Sequence, residues 1–217
     1  MPMLFEIHRP RTLENVIGQP KAVSAVTRFI VGRNIGGRAF WLSGPSGSGK
    51  TTLARIIGES IADEMHVEEM VADELTAERI RDIRSSMTLT AFGKGGRAYI
   101  VNEAHGLRAD TIRRLLDVLE GIPGHVCFIF TTTKDGLETL ADGQIDAAPL
   151  LSRCIRIALT NQGCAGPYAA RVMAIAEGEG LSSPDRTIKD YIVLAKEHKN
   201  NIRAMLTAVE AGCMLAA

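Results

Sequence analysis

The chain has 217 residues, with 25 Lys and Arg set against 25 Asp and Glu, and 46% of it is hydrophobic. That balance suits one soluble globular domain, or one domain with a small appendage. It excludes a disordered tail, a collagen-like repeat, a disulfide mini-scaffold and a strongly basic nucleic-acid coat. Nucleic-acid binding stays open, because a neutral total hides how charge is distributed along the chain.

In chain order, Ala39-Phe40-Trp41-Leu42 is a short apolar run that reads as a buried strand, and a helical stretch follows from Thr51 to about Ile61. Arg97 to Val101 reads as a second strand, with a helix from about Ala109 to Glu120 behind it. Val126 to Thr131 is a third strand, the most β-branched and aromatic of the set. Strands alternating with helices predict a parallel sheet covered on both faces. From about Asn161 the pattern is helix only: Tyr168 to Gly178, Asp185 to Glu197 and Asn201 to Met214. Ser183 reads as a cap before Pro184 at the first helical position of the middle one. The expected division is an α/β domain over 1–160 and a small helical domain over 161–217.

No apolar run approaches the roughly 20 residues of a membrane helix. Met1 to Glu6 lacks a basic region leading into an apolar core, so no membrane partner and a cytoplasmic location are expected. Cys127, Cys154, Cys164 and Cys213 include no close pair, which argues against zinc and for small buried side chains. Charge is segregated: residues 63–78 hold seven acidic side chains and no Lys or Arg, whereas residues 79–114 hold eight basic against three acidic. Either a solvated face or a functional surface accounts for such blocks.

The strongest motif is Gly44-Pro45-Ser46-Gly47-Ser48-Gly49-Lys50-Thr51, a complete G-x-x-x-x-G-K-T between a strand and a helix. Its glycines let successive N–H groups turn toward an anion, and the next helix adds its N-terminal dipole. Lys50 brings positive charge to the outer phosphates, and the Thr51 hydroxyl is placed for Mg²⁺, with Thr52 beside it. ATP and Mg²⁺ are the expected ligands. A second group for Mg²⁺ is normally an Asp at the tip of a neighbouring strand. Here Tyr99-Ile100-Val101 ends in Asn102-Glu103-Ala104-His105. Asn102 keeps an oxygen acceptor without the negative charge, and Glu103 is placed to orient or deprotonate an attacking water. Two readings follow, a working ATPase or a nucleotide-binding protein with little turnover.

Asn102 to His105 is similar to the D-E-A-H of certain helicases, whose two tandem motor domains need a longer chain. The wider pattern resembles an AAA+ ATPase of the clamp-loader type, with a parallel sheet flanked by helices and a three-helix lid. His8-Arg9-Pro10 and Val16-Ile17-Gly18-Gln19 resemble the family's N-terminal signature, in which such segments enclose adenine. The resemblance implies Arg9, Pro10 and Ile17 at the base, with His8 in place of the usual aromatic residue. Thr131-Thr132-Thr133 looks like sensor 1, with Thr132 as the γ-phosphate reporter. Ser152-Arg153-Cys154 is similar to the motif whose arginine completes a neighbouring subunit's site, and Asn200-Asn201-Ile202-Arg203 resembles sensor 2. A homo- or hetero-oligomer is therefore implied, with a sliding clamp or another replication protein among the expected partners.

Two departures stand out: no cysteine lies between Lys50 and Glu103, where bacterial relatives often carry a zinc module, and no collar is expected after the lid. Initiator-like AAA+ proteins add a DNA-binding domain beyond the lid, which this sequence does not reach. By resemblance, helices after the nucleotide motifs follow duplex DNA through its phosphates. Arg81, Arg84 and Arg108 are the candidates for sequence-insensitive, salt-weakened contact, with pairing to the acidic block as the alternative. Aromatic content of 5% argues against single-strand stacking.

Overall fold

The computed structural model describes residues 3–133, 139–140 and 145–215. Its elements run α1 (Leu4–Ile7), α2 (Pro20–Val31), β1 (Arg38–Ser43), α3 (Lys50–Glu59), β2 (Val67–Val71), α4 (Ala77–Ser86), β3 (Arg97–Asn102), α5 (Ala109–Glu120) and β4 (Val126–Thr132). They continue with a two-residue antiparallel pair, β5 (Thr139–Leu140) and β6 (Ile145–Asp146), then α6 (Ala148–Ser152), β7 (Cys154–Ala158), α7 (Ala165–Gly178), α8 (Ile188–Glu197) and α9 (Ile202–Glu210).

Five strands form one parallel sheet in the order β2-β3-β4-β1-β7. Strand β4 lies at its centre and is buried along its whole length, because Val126 to Phe130 offers apolar side chains to both faces. The edge strands differ: β2 buries only Met70 and β7 only Ile157. Charged side chains on β2 protect an edge that would otherwise invite pairing. Parallel register brings Ser43, Asn102 and Thr132 to the carboxyl ends of three adjacent strands, the edge at which open α/β sheets bind ligands.

The chain divides into two compact units. One comprises Lys21–Gly44 and Lys50–Ala158 and contains the whole sheet. Its core runs from Trp41, Tyr99, Phe128 and Phe130 to Ile112, Leu115, Val118 and Leu119. Those last four recur on one face of α5, as a core-facing helix requires. The aromatic members pack ring on ring, Tyr99 with Phe128 at 5.2 Å and Trp41 with Phe130 at 5.8 Å between centroids.

The other unit comprises Met1–Pro20, Pro45–Gly49 and Leu159–Ala217. Leu4 joins Tyr168, Val172, Tyr191, Leu194, Met205 and Val209 in its core, with Phe5 and Ile17 packed on the margin. Gln19, 3% exposed, fastens the N-terminal stretch: Nε2 donates to the Thr160 carbonyl and to Tyr168 Oη, and Oε1 accepts from Thr160 N. Gly18 has φ +77°, and a Cβ there would lie 2.6 Å from the Tyr168 ring, so only glycine fits.

Two expectations need correction, and two strands go beyond the sequence reading. Helix α8 begins at Ile188, not beside Pro184. Thr187 and Asp190 form a capping box, whereas Ser183 instead accepts from Arg186 N in a turn. Residues 67–71 and 154–158 form edge strands that the sequence pattern did not reveal. Cys213 is exposed, whereas burial pushes the thiols of Cys127 and Cys154 up to about 12. No helix among the described residues is long and apolar enough to cross a membrane.

Candidate functional site: the phosphate loop and the tip of β3

The phosphate loop leaves β1 at Gly44 and enters α3 at Lys50, so sequence continuity alone carries the free N–H groups of the first helical turn to the loop. Lys50 is only 7% exposed, and its Nζ donates to the Gly44 carbonyl at 2.7 Å. A buried ammonium is costly unless held by such acceptors. Within the loop, Gly47 has φ +72° and lies so near Asn201 that a Cβ would stand 1.8 Å from Asn201 Oδ1. The same Oδ1 accepts from Ala204 N and caps α9. Asn161 Nδ2 donates to the Ser46 carbonyl at 3.4 Å, and Asn200 Nδ2 to the Asn161 carbonyl at 2.8 Å. Pro45 accepts from Ser48 N at 3.3 Å.

The arrangement suits a phosphate group. Ser48 Oγ is buried without a hydrogen-bond partner, and Gly49, at φ +96°, has nothing within 4 Å of where a Cβ would be. A polar atom awaiting a partner beside open space is a donor for an anion. Among the described residues no group of three or more His, Cys, Asp or Glu could hold a metal ion. A cation here would depend on phosphate oxygens, together with Thr51 and its neighbours.

At the tip of β3 the sheet assembles a polar cluster. Thr51 Oγ1 lies 3.5 Å from Asn102 Oδ1, and the buried Thr131 hydroxyl donates to that oxygen at 2.8 Å. Asn102 Nδ2 donates to Glu69 Oε1 at 2.7 Å, and Arg55 Nε to Glu69 Oε2 at 2.7 Å. Glu103, next in sequence, has φ 54° and ψ 41°, a left-handed conformation rare for a non-glycine residue and concentrated at functional sites. Its side chain is 53% exposed and reaches His105 Nδ1 at 3.4 Å, while the same nitrogen lies 3.3 Å from Thr132 Oγ1.

The remaining candidates lie elsewhere. Arg153 caps α6, bonded to the Pro149 carbonyl at 2.9 Å and paired with Glu120. The Arg203 guanidinium stacks 5.2 Å from the centre of the Phe5 ring, a cation–π contact. Arg9 pairs with Glu6, His8 Nε2 bonds Glu179 at 2.7 Å, and Pro10 and Ile17 are half-buried. Arg81 bonds the Ala77 carbonyl at 3.3 Å within α4, Arg84 and Arg108 are exposed, and Arg79 pairs with Glu68 of the acidic block. The sequence did not single out Glu69, Arg55, Thr131 or Asn161. For Glu69 no local signal was available, because the paired glutamates of Val67-Glu68-Glu69-Met70-Val71 break the pattern of a strand.

A profile for the TIP49 P-loop domain matches residues 6–94. DNA polymerase III subunit tau of Bacillus subtilis is 24% identical over 95% of this chain and 38% of its own length. Replication factor C small subunit 2 of Pyrobaculum arsenaticum is 26% identical over 96% of this chain and 63% of its own. The chain thus spans less than two thirds of either relative. Among solved structures, the Holliday junction branch migration motor RuvB of Thermotoga maritima superposes with a TM-score of 0.70 at 19% identity, covering 93% of this chain and 64% of RuvB. The chain carries the five-stranded parallel P-loop fold of that solved structure, and its sequence is similar to subunits of DNA polymerase III and of replication factor C.

Proposed function

We propose that the chain is an ATP-binding AAA+ ATPase that works as one subunit of a DNA replication or repair assembly. The meeting of Thr51 and Asn102 at the carboxyl edge of the sheet, beside a loop whose lysine is drawn inward, carries this reading. In it, the N–H groups of residues 44–49 and Lys50 hold phosphates, with Thr52 at the start of α3. Thr51 and Asn102 hold Mg²⁺, which supplies charge neutralisation on the phosphate oxygens. Glu103 orients water for in-line attack, and Thr132 and Arg203 respond to the γ-phosphate. Arg153 acts in a neighbouring copy or partner subunit, and Arg9, Pro10 and Ile17 line the base.

DNA contact is assigned to Arg84 and Arg108, which are exposed, with Arg81 on the same helix as Arg84. Such contact would follow phosphates, ignore sequence and weaken as salt rises. The relatives' names support the replication setting, and a sliding clamp or similar replication protein is the proposed client.

Titration with ATP and Mg²⁺ tests the first step, and turnover with and without primed duplex DNA tests the second. Lys50→Ala is expected to bind about a hundredfold more weakly, from the loss of roughly 1.5–3 kcal/mol of charge-assisted bonding. Equal binding by Lys50→Ala would overturn the assignment. Arg153→Ala is expected to bind ATP normally and to lose turnover; full-rate hydrolysis would remove its role in a neighbour's site.

A second reading, a nucleotide-gated scaffold with little hydrolysis, is favoured by the uncharged Asn102 and by Arg153 being tied to Glu120 of its own chain. DNA-independent binding without turnover would select it.

A further inference from the structure

At the β3 tip the amide of Asn102 has a fixed orientation. A carboxylate only accepts hydrogen bonds, so the group facing Glu69 Oε1 at 2.7 Å must be Nδ2. That leaves Oδ1 toward Thr131, which donates at 2.8 Å, and toward Thr51 at 3.5 Å. The parallel register of β2 on β3 pairs Val71 with Asn102 and Glu69 with Ile100, so Glu69 reaches the tip from the adjoining edge strand. Its other oxygen is held by Arg55 from α3 at 2.7 Å, so the carboxylate is anchored at both ends.

This geometry explains the asparagine. An Asp at position 102 would set two carboxylates at hydrogen-bond distance, and like charges that close cannot both stay ionised at low cost. With Asn, the same contact becomes a charge-assisted hydrogen bond. It polarises the amide and draws negative charge onto Oδ1. Arg55 offsets part of the carboxylate charge from the far side, and partial exposure of that pair weakens the offset.

We infer that Glu69 is the displaced acidic residue of the Mg²⁺ site: a positioning residue on β2 that orients Asn102 and lends its Oδ1 the charge normally carried by an aspartate on β3. This rests on the nucleotide-binding reading above. The acidic function has moved one strand outward, and the amide transmits it to the oxygen beside Thr51.

The test uses the full chain, with ATP affinity measured by calorimetry across a Mg²⁺ titration and apo-protein melting followed in parallel. Glu69→Gln keeps an acceptor oxygen and removes the charge. It is expected to reduce the Mg²⁺ enhancement of ATP affinity roughly fivefold to tenfold, the scale of turning a charge-assisted bond into a neutral one, while metal-free ATP binding stays unchanged. Asn102→Asp alone should melt at a lower temperature than the unsubstituted chain. Adding Glu69→Gln to it should restore both the melting temperature and the Mg²⁺ enhancement. A Glu69→Gln protein whose Mg²⁺ dependence matches the unsubstituted chain overturns the inference, as does an Asn102→Asp protein of undiminished stability. If the unsubstituted chain binds no ATP at any Mg²⁺ concentration, the nucleotide reading fails, and this inference falls with it.

Discussion

Asn102 and Glu103 are neighbours in sequence, yet the structure treats them in opposite ways. Asn102 is held from three sides by Thr51, Thr131 and Glu69, with distances of 2.7 to 3.5 Å. Glu103 is 53% exposed, turned into a left-handed conformation, and touches His105 at a long 3.4 Å. A group that must hold a cation gains from being fixed beforehand, since no reorganisation is then needed on binding. A group that must engage a mobile water gains from reach. The β3 tip therefore places a preorganised corner beside an adaptable one.

Substitutions on each side break this contrast in different observables. The largest effect belongs to the open corner. Glu103→Gln is expected to lower ATP turnover about a hundredfold or more, the range of general acid–base catalysis, with ATP affinity unchanged; a rate within threefold of the unsubstituted chain would remove Glu103 from the chemistry. Next comes the fixed corner. Thr131→Val removes the hydroxyl donor to Asn102 Oδ1 and should cost about 1 kcal/mol, a melting shift of about 2–4 °C for a chain of this size.

Glu103→Gly should move stability the other way. Relief of the left-handed strain is expected to stabilise by up to about 1 kcal/mol while turnover is lost, a split that marks strain kept for function. The smallest effect is at His105. His105→Ala removes a long, partly exposed contact worth under about 1 kcal/mol, so melting should barely move. A large loss of stability there would show that Glu103 is more firmly held than its geometry implies.

Much of this site was legible from residues alone. The phosphate loop has the right spacing between a strand and a helix, and β3 and β4 are unbroken apolar runs that only a doubly covered sheet can bury. The helix over residues 109–120 appeared where its apolar spacing placed it. Strand β2 stayed hidden because Glu68 and Glu69 interrupt its apolar run, and their ionic partners, Arg79 and Arg55, lie on helices whose approach no local pattern encodes. The start of α8 was misplaced because Pro184 is a strong local signal, whereas the Thr187–Asp190 capping box outweighs it in the fold. Thr131 and Thr132 are indistinguishable in sequence. They part only because alternate residues of a strand face opposite ways, one to Asn102 and the other to His105.

The attachment of the N-terminal stretch to the last helices has a consequence for how the chain is made. Leu4 packs against, and the Gln19 side chain bonds to, residues between 160 and 214. Synthesis proceeds from the N-terminus, and folding units close as their parts emerge, so the sheet unit can close while the segments that retain residues 3–19 are still untranslated. Residues 3–19 lack those partners until residues 160–214 have emerged. Residues 45–49 belong to the same unit as residues 159–217, so the phosphate loop takes its final form only after those residues have emerged, later than the strands of the sheet.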